Sequence, residues 1–558
     1  MRYYYREKDW LYIGFEYRPY LVTAMKKFNC KYNIATREWY IQLGLENSLR
    51  LKGFLEENGF VNQRIIQERE IELEPVHKMI DEELLKEMIE YLNFSMNPRS
   101  YQLEGITYMI NHGNCINGCE MGTGKTAQSL LCVEVLDLFP CLIICPSSVK
   151  SSWFKEWKRW NPNRTIHIID SKDSENTDWK ADVTVINYDY LYKRGKSKEE
   201  VQLRYTRSLS KKWGAVILDE VHLCKNQKSL RSKAVMKIVQ KANKVYALSG
   251  TVIMNRPQEL INILNIIGRF NIFPNLQYYL YRYCNARMTR FGLDSTGASY
   301  TLELNEIIRH YCYFRKNKRD VLTELPEVIE QNIDCPIANT KEYKKAEDDF
   351  IHYLEEFDIE AAERAKRAEH LVRLANLKKL SLKGKLKFIV QFLKDWRDSD
   401  EELKVLIFGT LTEPLEQLHK EFKKESELII GQTSTDEKMI RVERWKKSKQ
   451  FLFANIATLS TGVDGLQEVC SNMMFIEYPN GPSHLEQAIA RLDRMGQKNS
   501  TNVYYLMSQE TIDVRIKEIL DDKTLITNAI NKGIDNIHSN ENVSLDMTLI
   551  RKYKGTIG

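Results

Sequence analysis

The chain has 558 residues, of which 43% are hydrophobic and 28% are charged. At about 150 residues a domain, this length predicts several domains, and the composition excludes a mostly disordered, collagen-like or coiled-coil chain. The 82 basic residues outnumber the 76 acidic ones, and the resulting net charge of +6 is compatible with a nucleic-acid partner without demonstrating one.

Neither membrane insertion nor disulfide bonding is predicted. No apolar run is long enough to span a bilayer, and the start MRYYYREKDW has no apolar core of a secretory signal. The eleven cysteines are an odd number, with Cys115/Cys119 and Cys141/Cys145 spaced four apart and no CxxC. We therefore expect reduced, buried thiols in a cytoplasmic protein, or a nuclear one in a eukaryote. A structural zinc site is the alternative.

The first 52 residues combine positive charge with aromatic rings. They contain ten lysines and arginines, five acidic residues and twelve aromatics. Cationic side chains that alternate with rings suit contacts to phosphates and stacking on bases, so a small α+β DNA-binding domain is predicted over residues 1–60. The alternative is that a small β-rich domain needs these aromatics for its core. The rings include Tyr3, Tyr4, Tyr5, Trp10, Tyr12, Phe15, Tyr17 and Trp39.

The next stretch of the chain has a net negative charge. Residues 53–90 contain eleven acidic and four basic residues, and the end of this stretch has helical spacing. An acidic connector is therefore predicted over residues 61–94.

Two series of short apolar runs follow, each alternating with helical segments. This alternation is typical of an α/β fold with parallel sheets and with its chemistry at the carboxyl ends of the strands. We predict two α/β lobes, at 95–330 (with a helical insertion at about 256–315) and at 388–535. The runs are CLIICP (141–146), VTVINY (183–188), WGAVILDE (213–220) and KVYALSGT (244–251), then KVLIFGT (404–410), QFLFANIA (450–457), NMMFIEYP (472–479) and TNVYYLM (501–507).

A basic helical insertion or linker is predicted between the lobes, over residues 331–387. Residues 361–387 hold nine basic and two acidic residues. They form either a solvated helix face or a positive track for phosphates. Residues 536–558 are predicted to be a tail.

The segment 120–126, EMGTGKT, lies between a predicted strand and a predicted helix over 127–138. Glycines let backbone N–H groups turn towards phosphates, the Lys125 ammonium can reach β- and γ-phosphate oxygens, and the Thr126 hydroxyl can ligate Mg²⁺. A strict GxxxxGK[ST] pattern fails at one position, where Cys119 replaces the first glycine. We call residues 120–126 the phosphate loop.

A second motif supplies adjacent carboxylates. Four apolar residues, 215–218, run into Asp219 and Glu220. Asp219 would hold Mg²⁺, and Glu220 would orient and deprotonate an attacking water. A strand-end pair of surface acids is the alternative.

A third motif, at residues 484–497, is HLEQAIARLDRMGQ. Read as a helix, it places Gln487, Arg491 and Arg494 on one face. Two permanent positive charges suit a γ-phosphate whose charge spreads in the transition state. An amphipathic surface helix is the alternative, since Asp493 is adjacent.

The order of these motifs resembles the Swi/Snf-type helicase-like ATPases of helicase superfamily two, over about residues 95–520. The similar segments are RSYQ (99–102), EMGTGKT, CPSSVKSSWFKEWKRW (145–160), VINYDYL, DEVH, LSGT (248–251) with Asn255, RKNKRDV (315–321) with LP (325–326), KVLIFGT, STGVDGL (460–466) and QAIARLDRMGQ.

The resemblance implies that both lobes are RecA-like, and it implies roles for further residues. Adenine selection falls to Gln102 of the RSYQ motif, and Ser249 and Thr251 would couple the nucleotide to DNA. The implied ATP contacts are Arg99, Gln102, Met121, Gly122, Thr123, Gly124, Lys125, Thr126, Gly465 and Gln487. The implied DNA contacts are Lys150, Trp153, Tyr188, Asn255, Thr410, Thr458 and Ser460.

The N-terminal segment 32–39, YNIATREW, is similar to the HepA-related (HARP) domain of the annealing-helicase branch. That similarity implies recognition of branched DNA or of junctions between single and double strands. Single-strand-binding or replication proteins are possible partners, and no membrane is expected.

The resemblance implies an ATP- and Mg²⁺-dependent translocase on double-stranded DNA that remodels forks or anneals strands. The family pattern differs at Cys119, Thr123 and Val252 and in DEVH, and none of these differences removes a group that contacts phosphate, metal or water. It also differs at Asp464 and Gln467, in the second-lobe loop that the resemblance implicates in coupling to DNA. The alternatives are a strand-separating helicase, a nucleic-acid scaffold that binds ATP with little hydrolysis, and an unrelated P-loop transferase.

Overall fold

Apolar runs form most central strands of the two parallel sheets, because a strand buried on both faces needs apolar residues at successive positions. In the computed structural model, the described residues are 2–7, 10–15, 18–33, 38–42, 51, 53–55, 57–58, 60–62, 73, 75–76, 78–170, 173–174, 179–194, 200–251, 256–289, 292–355, 364–400, 402–459, 463, 465–479 and 481–533.

The N-terminal sheet has the strand order β3-β4-β2-β1-β5 and is antiparallel except where β5 pairs with β1. Helix α1 (Pro19–Lys27) buries Leu21 and Met25 against it. Tyr4 is buried in the same core and Tyr32 is exposed, so the aromatics serve both the core and the surface. The strands are β1 (Arg2–Glu7), β2 (Trp10–Phe15), β3 (Lys31–Asn33), β4 (Glu38–Gln42) and β5 (Val61–Asn62).

The predicted connector needs a correction at both ends. Its first two residues form β5 and belong to the N-terminal sheet. Its last part is helix α2 (Glu82–Leu92), which begins where the Asp81 side chain accepts a hydrogen bond from the Leu84 N–H at 2.9 Å. Leu85 and Ile89 of α2 are buried in the core of the first lobe.

The first lobe is built on a parallel sheet with the order β16-β6-β13-β12-β7-β9-β8, and two small hairpins, β10–β11 and β14–β15, lie outside it. Its strands are β6 (Cys115–Asn117), β7 (Cys141–Cys145), β8 (Ile166–Ile168), β9 (Val183–Asn187), β10 (Tyr192–Arg194), β11 (Val201–Leu203), β12 (Trp213–Asp219), β13 (Ala242–Leu248), β14 (Arg287–Thr289), β15 (Gly292–Asp294) and β16 (Tyr313–Phe314). Its helices are α3 (Ser100–His112), α4 (Lys125–Val135), α5 (Lys150–Trp160), α6 (Thr206–Leu209), α7 (Leu230–Val239), α8 (Gln258–Ile266), α9 (Leu276–Tyr283), α10 (Thr301–Tyr311) and α11 (Lys318–Val321).

The second lobe is built on a parallel sheet with the order β17-β22-β21-β18-β20-β19. Leu406 and Phe408 pack into the core on one face, and Val405 and Ile407 into the core on the other. The strands are β17 (Val328–Asp334), β18 (Val405–Gly409), β19 (Ser426–Ile429), β20 (Phe451–Asn455), β21 (Asn472–Phe475) and β22 (Thr501–Met507). The helices are α12 (Thr340–Glu355), α13 (Arg364–Ser399), α14 (Thr412–Glu421), α15 (Thr435–Ser448), α16 (Ile456–Leu459), α17 (Pro482–Ile489) and α18 (Ile512–Lys532).

The predicted linker over residues 331–387 is not a separate insertion. Most of β17 falls in it, and β17 pairs along its whole length with β22. Tyr343 of α12 and Leu377 of α13 are buried in the core of the second lobe. This stretch therefore belongs to the second lobe, because its apolar positions pack on that sheet.

The two lobes contact each other at the end of α18. Ile530 is buried in the core of the first lobe, and the Asn305 amide of α10 donates to the Ile530 carbonyl at 2.5 Å. The predicted fold class, two parallel-sheet lobes with a small N-terminal α+β domain, is confirmed.

All eleven cysteines are buried free thiols, which confirms the prediction of thiols packed in cores. Burial raises the pKa of Cys132 to about 12. Within the described residues, no helix combines the length and the apolar character needed to cross a bilayer.

Candidate active site

The phosphate loop follows β6 and leads directly into α4. Gly122 and Gly124 have φ values of +82° and +83°, a backbone region that side chains disfavour. A Cβ atom at position 124 would lie 2.2 Å from the Gln102 amide nitrogen. The Thr123 hydroxyl is buried and donates to the Glu120 carbonyl at 2.8 Å. The loop is thus a backbone cradle at the N-terminus of a helix, which suits an anion.

Lys125 begins α4 and its ammonium remains inside the loop. Its Nζ donates to the Cys119 carbonyl at 2.9 Å and to the Glu120 carbonyl at 3.2 Å. Burial lowers the pKa of Lys125, and the charge of Glu220 partly opposes this shift. Thr126 is half-buried at the next position of the helix.

Asp219 ends β12 and is fixed by two aromatic residues. Its Oδ2 accepts a hydrogen bond from Trp153 Nε1 at 2.9 Å, and its carbonyl accepts one from the Tyr188 hydroxyl at 2.8 Å. Burial and the neighbouring charge of Glu220 raise the pKa of Asp219 to about 6. A cation beside this carboxylate would offset that cost, so the position fits a metal ligand.

Glu220 has a left-handed backbone (φ 53°), which turns the chain at the end of the strand. Its Oε2 lies 3.1 Å from His222 Nδ1 and 3.4 Å from the Ser249 hydroxyl, and these two groups are 3.0 Å apart. Burial raises the pKa of Glu220, but His222, Lys125 and Arg491 together hold it below its usual value. Glu220 is therefore a carboxylate at neutral pH and able to accept a proton.

The sequence reasoning missed His222 as a site residue, although it lies two positions after Glu220 in DEVH. Ser249, one of the predicted coupling residues, contacts both of these groups. The Thr251 N–H in turn donates to the Ser249 hydroxyl at 3.3 Å, and Thr251 is buried. The structure thus connects both predicted coupling residues to Glu220.

The second lobe brings its arginines to this site on turns instead of a helix. Helix α17 contains the buried Gln487 and ends at Ile489. The chain continues as turns to Gly496, which has a φ of +93°. The predicted helical face shared by both arginines is therefore wrong. We call residues 490–496 the arginine turn.

The arginine turn nevertheless meets the phosphate loop. A Cβ atom at Gly122 would lie 3.5 Å from Arg494 Cβ. Arg491 donates from Nη1 to the Val463 carbonyl at 3.3 Å, and its charge helps to lower the pKa of Glu220. Gly465 has a φ of +78° and begins the short helical turn that follows Val463.

Gln102, which is predicted to select adenine, lies beside the phosphate loop. Gln102 is buried beside Gly124, and its Oε1 accepts a hydrogen bond from the Arg99 N–H at 2.8 Å. The Arg99 guanidinium forms an ion pair with Glu324 at 2.6 Å. Met121 packs on Gly250: a Cβ atom added at Gly250 would lie 3.2 Å from Met121 Cγ.

Two of the predicted DNA contacts are corrected. Trp153 and Tyr188 are each only 2% exposed and hold Asp219, so their side chains are not available to a DNA backbone. The reason is that α5 and the turn after β9 pack these rings into the core of the first lobe.

The other predicted DNA contacts lie at the carboxyl edges of the sheets or outside the described residues. Lys150 follows β7 and donates to the Ile169 carbonyl at 2.8 Å. Thr410 follows β18, and Thr458 lies beyond the end of the adjacent β20. Asn255 and Ser460 fall outside the described residues.

Two family models match adjoining parts of the chain. Residues 101–387 match the model of the SNF2-related domain, and residues 384–496 match the helicase conserved C-terminal domain. The chain is similar to the DNA annealing helicase and endonuclease ZRANB3 of Bos taurus, with 27% identity over 448 residues, which are 78% of this chain and 40% of that protein. It is also similar to the SWI/SNF-related matrix-associated actin-dependent regulator of chromatin subfamily A-like protein 1 of Drosophila melanogaster, with 26% identity over 537 residues, 93% of this chain and 67% of that protein.

Among solved structures, the Sulfolobus solfataricus SWI2/SNF2 ATPase core in complex with dsDNA matches with a TM-score of 0.37 and 21% identity, over 79% of this chain and 94% of that one.

A phosphate loop and a carboxylate pair on one parallel-sheet lobe, facing arginines on a second, define a two-lobed P-loop protein. The matched domains cover most of both lobes, and the chain belongs to the SNF2-related family. It spans 40% of the length of the ZRANB3 proteins that it matches.

Proposed function

We propose that this protein is a DNA-stimulated ATPase that translocates on double-stranded DNA and remodels forks or anneals strands. The observation that carries the proposal is that the arginine turn of the second lobe meets the phosphate loop of the first, while Arg491 acts electrostatically on Glu220. The names of the relatives, which include an annealing helicase, support the choice of DNA as substrate.

The residues present fit MgATP. The glycine cradle and Lys125 would hold the phosphates, and Thr126 and Asp219 would hold Mg²⁺. Gln102 would contact the adenine base. When bound, the metal would neutralise charge on the phosphate oxygens.

The chain itself supplies the base and the stabilising charges. Glu220 orients a water and accepts its proton, because its carboxylate lies at the end of β12 beside His222 and Ser249. Arg491 and Arg494 face the developing negative charge; such arginines are worth about 10³–10⁵ in rate in related phosphoryl-transfer enzymes. His222 and Ser249 connect Glu220 to Thr251 and would report the nucleotide to the DNA-binding edge.

Phosphate release tests the proposal, measured with fork, duplex and single-stranded DNA and with magnesium. Wild-type protein should respond to DNA, and Lys125→Ala should abolish the response. Glu220→Gln should bind ATP and turn over at least tenfold more slowly. Release from the wild type that is no faster than from Lys125→Ala would reject an ATPase.

The same substrates separate the alternatives. Strand separation that accompanies hydrolysis would favour a helicase, and nucleotide binding without DNA-stimulated turnover would favour a scaffold. The N-terminal sheet is proposed to read DNA junctions. Deletion of residues 1–75 should therefore reduce the preference for forks over plain duplex, and an unchanged preference would assign this sheet another role.

A further inference from the structure

Asp493 occupies the arginine turn between the two arginines, and its carboxylate contacts the segment that joins the lobes. Its Oδ2 lies 2.8 Å from Lys318 Nζ, and its Oδ1 lies 2.9 Å from Arg319 Nη2. Lys318 Nζ also donates to the Asp493 main-chain carbonyl at 2.6 Å. Both the side chain and the backbone of the residue between the arginines are thus held from α11.

The same segment holds the phosphate loop. The Lys318 main-chain N–H donates to Glu120 Oε2 at 2.9 Å, and Arg315 Nη2 donates to Glu120 Oε1 at 3.1 Å. Arg315 Nη1 donates to the Gly118 and Gly250 carbonyls, each at 2.8 Å. A continuous hydrogen-bonded network therefore runs from the phosphate loop through α11 to the arginine turn. We call Glu120, Arg315, Lys318, Arg319 and Asp493 the clasp.

Side-chain packing beside the clasp is incomplete. A half-open pocket of about 160 Å³ lies between Met121 and Thr251 of the first lobe and Ile489 at the end of α17, and Lys318 and Asp493 form part of its wall. Lys318 and Asp493 are themselves only 5% and 8% exposed. Ionic hydrogen bonds shielded from water are strong and directional, so the clasp fixes the arginine turn where packing does not.

We propose that Asp493 is a positioning residue, which holds the arginine turn against the phosphate loop by accepting hydrogen bonds from Lys318 and Arg319. This rests on the proposed ATPase activity. Asp493 contacts no reacting atom; it acts through Arg491 and Arg494. Its loss should lower kcat and leave nucleotide affinity nearly unchanged, because most of the predicted nucleotide contacts, in the phosphate loop and at Gln102, belong to the first lobe.

The test uses the full chain with saturating duplex DNA and compares Asp493→Asn, Asp493→Glu and Lys318→Met. We expect Asp493→Asn to lower kcat about tenfold to a hundredfold, the range for a lost hydrogen bond to a charged group, with little change in KM for ATP. Asp493→Glu should recover part of the loss. Lys318→Met combined with Asp493→Asn should be no worse than the more damaging single variant.

Glu421→Gln is the matched control. It also converts a carboxylate into an amide, in a half-exposed pair with Lys394 at 2.7 Å on the second lobe. It should retain the wild-type kcat. A wild-type kcat in Asp493→Asn overturns the proposal, as does a loss of kcat that parallels a loss of melting temperature and is not restored by Asp493→Glu.

Hydrogen exchange provides a readout that does not need hydrolysis. Asp493→Asn should speed exchange in residues 490–497 and 118–124 and leave the strands of both sheets unchanged. Equal exchange in the two proteins overturns the positioning role. If the wild type shows no DNA-stimulated hydrolysis while exchange changes as expected, the proposed function fails and the clasp stands.

Discussion

Two lysine–aspartate pairs in this molecule have the same chemistry and different locations. Lys385 of α13 is fully buried within the second lobe, donates to Asp513 at 2.7 Å and donates to the Ile476 and Leu506 carbonyls at 2.9 Å each. Lys318 and Asp493 make the equivalent contacts across the boundary between the lobes.

The difference shows that the effect of a buried ion pair depends on which parts of the fold it joins. The Lys385 pair joins α13, β22, α18 and the residue after β21 within one lobe, so its loss leaves uncompensated polar groups inside one folded unit. The Lys318 pair joins parts that must align for chemistry but that each fold around their own core. The first should govern stability and the second turnover.

The largest expected effect is that of Lys385→Met. Breaking a buried pair by removing one partner costs about 3–5 kcal/mol, and here two carbonyls also lose their donor. We expect a clear fall in the melting temperature and faster hydrogen exchange throughout the second lobe. Adding Asp513→Asn to Lys385→Met should restore only part of the lost stability, because the two carbonyls still lack a donor. A melting temperature equal to the wild type would remove the basis of the comparison.

Trp153→Phe is expected to have an intermediate effect. It tests whether a contact within one lobe affects only stability, as expected for Lys385. Its indole lies within one lobe, yet it donates to the predicted metal ligand Asp219. A hydrogen bond to a charged group contributes about 1.5–3 kcal/mol, so kcat should fall about tenfold or more and the magnesium requirement should rise. If only the melting temperature falls, location within a lobe determines whether a contact affects stability or turnover. If kcat falls, contact with the reacting groups determines it.

The smallest expected effect is that of Arg319→Ala. This guanidinium shares the Asp493 carboxylate with Lys318, but its side chain is 42% exposed. Water and salt screen such a contact, which limits it to about 1 kcal/mol. We expect kcat to fall at most about fivefold, and the difference from wild type should shrink as salt is added. A loss as large as that in Lys318→Met would mean that the exposed half of the clasp dominates.

Much of the site followed from the sequence because parallel strands end at a common edge. The rule placed Lys125, Asp219 and Glu220 together, the family resemblance added Ser249, and the structure brings all four together. The resemblance failed for Trp153, because a DNA-contact motif does not determine which way an indole points.

The clasp could not be predicted from spacing. Lys318 and Asp493 are 175 positions apart, and their contact depends on how two lobes dock. Helical periodicity also missed the end of α17 at Ile489, since the stretch up to Asp493 retains helix-compatible residues and only Gly496 signals the break.

The burial of all eleven thiols has a practical consequence for observing the lobes move. Maleimide dyes react with thiolates at the surface, and the natural cysteines offer neither exposure nor ionisation. One cysteine introduced on an exposed face of each lobe should therefore take a donor and an acceptor dye without prior removal of the native ones. The distance between the lobes could then be followed by energy transfer in the unaltered core.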